Sequence, residues 1–450
     1  MLEPGIESLI PTLVVLITAI VLKRALEALI IGALVGFIML QQHLFMSGFL
    51  NAVLQSISNE TVGWIVLTVA MFGSIITLLV KSGSASAFAG SLTRYIKTGP
   101  QALMATWGLG LLIFIDDYLN ALAVGSAMKK VTDKLKVSRE MLAYVVDTTA
   151  APVCILLPFS TWAIYVSGLL ESNHVAAVGE GMRAYISAIP YMLYAWVALL
   201  MPPLLASGKL PLIGGMRKAQ ARAAQGQTVP LGFVEDVDAD DDKLSDQGRV
   251  FNFVVPMLAL IGFTWLFDVD ILKGAFATLV LIIVMYSAQG LMRLHDIFEH
   301  SLTGMKSMVE VIAILIMSFV LKDVNDQLQL TPYVIDVATS WVNPLLLPLI
   351  TFVSLSLVAF ATGTFWGLYA VALPVVIPLA NTMGVDVHLM IGAVISAGAF
   401  GSHACFYSDS TILSAQGSGC PPMAHALTQL PYALIAATIT ALGFLLIAWL

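Results

Sequence analysis

Four aspartates stand in sequence that is otherwise apolar enough to be membrane core. Asp116 and Asp117 lie in Leu111-Leu-Ile-Phe-Ile-Asp-Asp-Tyr-Leu-Asn120, Asp147 follows Ala143-Tyr-Val-Val, and Asp409 sits in Tyr407-Ser-Asp-Ser-Thr411. A carboxylate in hydrocarbon is costly, so an ionisable residue at such a place points to function. No Lys or Arg accompanies these acids inside the apolar runs. Unmatched acids suit a bound cation or a carried proton, so the chemistry to look for is ion coupling.

Composition says what surrounds them. The chain has 450 residues, 59% hydrophobic and only 11% charged, with a mean hydropathy of +0.91. A soluble chain keeps about a quarter of its residues charged, so an all-α polytopic membrane protein is expected. The net charge of −7, with no basic stripe to neutralise phosphates, speaks against a nucleic-acid partner. Cys154, Cys405 and Cys420 share no metal-type spacing and form no disulfide framework; they read as small apolar helix residues. No basic segment followed by a cleavage site opens the chain, so no removable signal peptide is expected. The expected partner is the lipid bilayer of the cell's inner (plasma) membrane, with a small cation as ligand and no cofactor.

Apolar runs begin near Ser8, Ala25, Val62, Ala143, Tyr185, Phe251, Leu272, Val309, Leu389 and Leu427. Each supplies the roughly 20 residues a spanning helix needs. Two further regions, about 101–131 and 345–380, are interrupted in the middle, at Asp116-Asp117-Tyr118 and at Thr362-Gly363-Thr364-Phe365-Trp366-Gly367. Arms of about 15 residues reach only about 22 Å as helix, short of a hydrocarbon core of about 30 Å. Both regions are therefore predicted to be re-entrant hairpins. The basic residues agree: Lys81, Arg94 and Lys97 precede the first, and Lys129, Lys130, Lys134, Lys136 and Arg139 follow it. A hairpin keeps both clusters on the cytoplasmic side, as the positive-inside tendency requires. With ten spans and both termini outside, only Arg183, Lys273 and Lys322 of the 21 Lys and Arg face outward.

A shift of about 249 residues lays one half on the other. It places the span from Ser8 on that from Phe251, the Asp116-Asp117 tip on Phe365-Trp366, and Ser160-Thr161 on Asp409-Ser410. Five spans per half make the second half start from the opposite side, so an inverted repeat is predicted: residues 1–206, a cytoplasmic linker 207–249, and residues 250–450. Paired interrupted segments at matching places are a sequence pointer to a transporter's midplane site. The acidic run from Glu235 to Asp246 reads as a solvated connector.

A second break follows each hairpin. In the first half it runs from Asp147-Thr148-Thr149 through Pro152 and Pro158 to Ser160-Thr161; in the second, from Ser396 through His403 to Ser408-Asp409-Ser410-Thr411. Each proline deletes a backbone donor and frees a carbonyl. Unwound backbone at membrane depth survives only against protein or a watery cavity. Carboxylates, hydroxyls and freed carbonyls are what a hard cation favours, so Na+ is expected at Asp117, Asp147 and Asp409. Bland readings stand beside these. One of the Asp116-Asp117 pair, or Asp409, can cap the following helix. Asp147 can sit at a cytoplasmic helix start. His403 can be a packed, hydrogen-bonded residue, and Trp162 and Trp366 can be core aromatics. Glu27, four residues past Lys23, reads as an ion pair near the cytoplasmic face.

Taken together, Phe114-Ile-Asp-Asp-Tyr-Leu-Asn120, Val131-Thr-Asp133, Asp147-Thr-Thr-Ala-Ala-Pro152, Thr362-Gly-Thr-Phe-Trp-Gly367, Ser408-Asp-Ser-Thr-Ile-Leu413 and Thr428-Gln-Leu-Pro-Tyr432 resemble the motifs of the NhaC-type sodium/proton antiporters, of the ion transporter superfamily. The resemblance covers nearly the whole chain. It implies an inverted-repeat fold with a scaffold and a mobile part moving elevator-fashion, and a homodimer. The chain departs from the family pattern at Gly401-Ser402-His403, where Gly-Asp-His is usual, and at Cys405-Phe406-Tyr407, where a Ser-Pro pair is usual.

Two readings follow. In the first, adjacent carboxylates cannot both ionise cheaply, so protons and Na+ compete for one site in a secondary antiporter. In the second, Na+ at the aspartates drives a small organic acid or amino acid, whose carboxylate is held by helix N-termini; the family includes exchangers of small organic acids. An intramembrane hydrolase would not require two inverted halves, so no enzyme is expected.

Overall fold

A computed structural model describes residues 5–22, 25–84, 87–88, 96–173, 175–230, 248–267, 270–362, 365–406 and 408–449. Among them there are helices and short turns but no strand. The acidic run from Glu235 to Asp246 lies outside the described residues, as do Gly363 and Thr364 and the side chains of Thr362 and Asp409.

The N-terminal helices are α1 (Ile10–Leu22), α2 (Ala25–Gln41), α3 (Phe45–Ile57) and α4 (Glu60–Lys81). The first interrupted region forms α5 (Gly99–Leu112) and α6 (Asp117–Lys134), and the first broken helix forms α7 (Arg139–Leu156) and α8 (Thr161–Ser172). Then come α9 (Gly181–Ala188), α10 (Leu193–Ala206) and the linker helix α11 (Gly214–Ala224). The chain continues through α12 (Val250–Leu266), α13 (Ile271–Ala288), α14 (Leu294–Ser307), α15 (Val309–Gln327) and α16 (Leu330–Trp341). The second interrupted region is α17 (Leu347–Thr362) and α18 (Trp366–Met383), followed by α19 (Val387–Ala404), α20 (Asp409–Ser418) and α21 (Pro422–Trp449).

The layout recurs. Helices α6 and α18 both have 18 residues and start at 117 and 366, an offset of 249. Helices α7 and α19 also have 18 residues and start at 139 and 387, an offset of 248. The caps recur too. Ser138 accepts from Met141 N–H and Asp386 from Leu389 N–H, while Ser160 accepts from Ala163 N–H and Ser408 from Thr411 N–H. Side-chain oxygens at these places satisfy backbone donors that a helix start leaves open. The sequence shift of 249 pairs Ser160 with Asp409; the shared serine cap moves the register here by one, to Ser408.

Seven helices among the described residues are long and apolar enough to cross a membrane, and up to nine if each of two bent pairs is one span. The sequence predicts ten. The segments expected from Ser8 and Phe251 form helices of 13 and 17 residues, about 20 and 25 Å long at 1.5 Å per residue. Conversely Trp366–Met383, expected as a hairpin arm, passes the same length and hydropathy test. At about 27 Å, length alone does not separate an arm from a span.

Small residues set the close crossings that position the interrupted elements. A Cβ on Gly401 of α19 would lie 2.1 Å from Ala359 Cβ of α17, and one on Gly125 of α6 would lie 2.6 Å from the Gly417 carbonyl carbon of α20. A Cβ on Gly99, opening α5, would touch Val137 just after α6 at 3.2 Å. The two arms of the first hairpin therefore begin and end at the same end of the molecule. That end is fixed by charge. Arg139 bonds Asp133 at 2.9 Å and the Gly419 carbonyl at 3.0 Å, and Arg222 of the linker helix holds the buried Glu140 through contacts of 2.8 and 2.9 Å. These pairs tie α6, α7, α20 and α11 into one corner.

Helix α6 meets α20 backbone to backbone, so Gly125→Val is expected to force them apart. Overpacking of this kind costs about 1–3 kcal/mol. The thermal unfolding midpoint in detergent should fall, whereas Gly108→Ala, whose Cβ meets nothing within 4 Å, leaves it unchanged or higher.

Candidate functional site

The tip of the first hairpin closes on the first broken helix. Helix α7 ends at Leu156 and α8 starts at Thr161; the residues between free carbonyls that need donors inside the protein. Ser160 supplies one, its hydroxyl donating to the Cys154 carbonyl at 2.5 Å. Thr161 N–H donates to the Ile115 carbonyl at 3.1 Å, and Cys154 Sγ donates to the Phe114 carbonyl at 3.2 Å. Asn120 holds the turn from the other side. Its Nδ2 lies 2.8 Å from the Gly110 and Ile113 carbonyls and 2.9 Å from the Thr149 carbonyl. One amide thus joins both arms of the hairpin to α7.

Asp116 and Asp117 are 4% and 3% exposed. Asp116 accepts from Leu119 N–H at 3.1 Å, so it caps α6, and its other oxygen accepts from the Thr161 hydroxyl at 3.2 Å. Asp117 opens α6, one turn before Asn120, and residues three apart share a helix face. Asn120 Oδ1 is buried and has no hydrogen-bond partner. A hard oxygen without a donor beside two buried carboxylates is a ligand set for a small cation.

A second polar group gathers where the C-terminal elements meet the middle of α7. Asp147 lies midway along α7, fully buried. One oxygen accepts from the Ser410 hydroxyl. The other accepts from Gln429 Nε2 at 2.7 Å and His425 Nε2 at 3.1 Å. Gln429 Nε2 also reaches the His403 carbonyl. The ring of His403 has a partner on each nitrogen. The Thr148 hydroxyl gives its proton to the Tyr144 carbonyl at 2.6 Å, so it accepts from His403 Nε2–H at 3.2 Å; Nδ1 then accepts from the Tyr194 hydroxyl at 2.8 Å. That assignment follows from counting donors and acceptors.

The second break mirrors the first. The Ser408 hydroxyl donates to the Ser402 carbonyl at 2.5 Å, six residues back, as Ser160 does to Cys154. Thr411 donates to the Cys405 carbonyl at 2.9 Å. Thr149 spends its hydroxyl on its own helix, on the Val145 and Val146 carbonyls at 3.0 and 3.1 Å. Trp366 opens α18 at the second tip, where its carbonyl accepts from the Tyr165 hydroxyl at 2.8 Å.

The predicted residues thus fall into neighbourhoods strung along α7 and α8. Asp116, Asp117, Asn120, Ser160 and Thr161 meet at the first tip. Asp147, Thr148, His403 and Ser410 meet near mid-α7, with Ser408 and Thr411 at the adjoining break. Trp366 lies at the second tip. Between Asp147 and Cys154, two turns separate the first two groups along α7, about 10 Å. Sequence reasoning missed His425, Gln429 and Tyr194. The signal for the first two was present: His425 and Gln429 stand one helical turn apart in an apolar run, so they share a face.

Three donors converge on Asp147, and Asp147→Ala would leave them without an acceptor. Removing the acceptor is expected to cost about 2–4 kcal/mol and lower the unfolding midpoint by several degrees. Asp147→Asn, which keeps one acceptor oxygen, should lose less.

The profile of the Na+/H+ antiporter family matches residues 153–449. An uncharacterized protein of Haemophilus influenzae is 28% identical over an alignment covering 98% of this chain and 91% of that protein. A malate-2H(+)/Na(+)-lactate antiporter of Bacillus subtilis is 29% identical over 119 residues, 26% of this chain and 25% of its own. The crystal structure of the YdaH transporter of Alcanivorax borkumensis is 14% identical, with a TM-score of 0.58 over 87% of this chain and 88% of that one. The fold is that of a transporter, and the apolar helices make it a multi-pass membrane protein. By the matched profile, this chain belongs to the Na+/H+ antiporter family.

Proposed function

We propose that the chain exchanges sodium for protons across the inner membrane at a carboxylate site on the tip of its first hairpin. The observation that carries this reading is the buried Asp116–Asp117 pair, tied through the Thr161 hydroxyl to a broken helix. The ligands are Asp117, Asn120 Oδ1 and carbonyls of the break. Asp116 positions the tip as cap and acceptor. Asp147, from the same half, and the Ser408–Thr411 start of α20, from the other half, belong to the wall of the site, with Asp409 assigned to it from the sequence motif. By the sequence repeat, Thr362, Gly363 and Thr364 are assigned the corresponding role in the second half.

Two neighbouring carboxylates in a poorly hydrated interior hold one net negative charge more readily than two. Sodium satisfies the ionised pair, and protons satisfy it when sodium leaves. A site with uncompensated charge crosses the low-dielectric barrier at high cost, so only the sodium-loaded or protonated form moves. Coupling follows from that penalty. The recurrence of helix lengths, breaks and serine caps at an offset of 248–249 supports two inverted halves, 1–206 and 250–450, joined by the linker 207–249. Both termini then lie outside, with the Arg139–Asp133 and Arg222–Glu140 corner facing the cytoplasm. Helix breaks in both halves fit an elevator-like motion of the hairpins and broken helices against the remaining helices. A homodimer would brace that scaffold.

A second reading is sodium-coupled exchange of a small organic acid. It is favoured by the Bacillus antiporter's similarity over its 119 residues and by the aromatic second tip.

In proteoliposomes an outward sodium gradient is expected to acidify the lumen as sodium leaves and protons enter. Asp117→Asn should abolish this acidification while the purified variant stays folded. Undiminished exchange in that variant contradicts the proposal.

A further inference from the structure

The second hairpin tip and the start of α8 meet through aromatic rings. Trp162 stacks on Phe365, the residue before α18, with ring centroids 3.6 Å apart and planes 18° apart. Trp366 lies 5.7 Å from Trp162 and edge-on to Tyr165 at 4.7 Å. Two helix N-termini thus come together: α8, capped by Ser160, and α18, whose start has no side-chain cap. Such ends carry partial positive charge and favour anions.

The indoles supply a second, independent observation. Trp162 is 1% exposed and Trp366 7%, and neither Nε1–H has a hydrogen-bond partner. Two other indoles find acceptors: Trp107 donates to the Leu199 carbonyl at 2.9 Å, and Trp196 to the Ile189 carbonyl at 3.0 Å. Buried donors left unmade are uncommon and need an explanation. An indole nitrogen donates and never accepts, so these two groups have no use for a cation. They call for an acceptor, and the two helix N-termini beside them favour one bearing negative charge.

We propose that Trp162 and Trp366 form a binding site for the carboxylate of a small organic solute, whose apolar body packs on the Phe365 and Tyr165 rings. This inference rests on the second reading above and assigns its ligand to the second tip. The site is next to the cation site in sequence and in space, because Thr161, the neighbour of Trp162, bonds Asp116. An anion beside Asp116 and Asp117 is repelled unless a cation sits at the pair. Carboxylate binding is therefore sodium-dependent, and sodium binding is strengthened by carboxylate in the same proportion.

The test uses the purified full chain and lactate, malate, alanine or glycine as probes, each in sodium chloride and in choline chloride. Ultraviolet resonance Raman reports indole N–H hydrogen bonding directly, and tryptophan fluorescence gives the affinity. At least one probe is expected to shift the indole N–H signal in sodium and bind much more weakly in choline. Trp162→Phe and Trp366→Phe keep an aromatic ring and remove the donor; each should weaken that probe about tenfold or more. A variant that fails to fold leaves the Raman result on the wild type as the deciding measurement. The inference is overturned if no probe moves the indole signal, if chloride or sulfate alone produces the whole shift, or if folded variants bind like wild type. Sodium/proton exchange measured on the same preparation reads the proposed antiport separately, so either idea can fail while the other stands.

Discussion

A helix that breaks inside an apolar slab must find donors for its freed carbonyls within the protein, and this requirement organises the molecule. Water is not there to do it, and each unmet group costs as much as a lost hydrogen bond. The two breaks use one solution: Ser160 and Ser408 each cap the next helix and donate to the carbonyl six residues back. Asn120 does the same for the first hairpin, reaching carbonyls of α5, of the turn and of α7 with one amide. With the backbone satisfied in this way, the carboxylates next to it are held in fixed positions.

That arrangement separates two kinds of acid. Asp147 sits among three donors and ties α7 to α20 and α21. Asp116 and Asp117 sit at a turn, with the unpartnered Asn120 oxygen one helical turn away. A carboxylate surrounded by side-chain donors is suited to holding elements together, and one beside open oxygen ligands to exchanging an ion. The glycine crossings at Gly125, Gly401 and Gly99 bring the backbones close enough for both arrangements. At the charged corner, Arg222 and Glu140 carry α11 onto the start of the helix that bears Asp147.

Much of this was legible in the chain. Aspartates in apolar sequence marked the first tip and α7, and the interruptions at Asp116 and at Thr362 marked where α5 gives way to α6 and α17 to α18. Family motifs extended that reading to the whole length. The span count was less legible, because 13 to 18 apolar residues describe a hairpin arm, a tilted span and a short helix equally well. Register was set one residue off around Ser408, since a shift found from hydropathy cannot see which hydroxyl caps a helix. His425 and Gln429 escaped because their partner, Asp147, is more than 270 positions away. Trp162 and Trp366 looked like core aromatics, and only the count of acceptors around their indole nitrogens sets them apart.

The central claim is that sodium and protons compete for the same buried carboxylates. It is tested most directly by titrating sodium chloride into the purified protein in weakly buffered detergent solution near neutral pH, with choline chloride as control. The account predicts proton release as sodium binds, diminishing as the pH is raised and the site is already ionised. Sodium binding without proton release at every pH would contradict it.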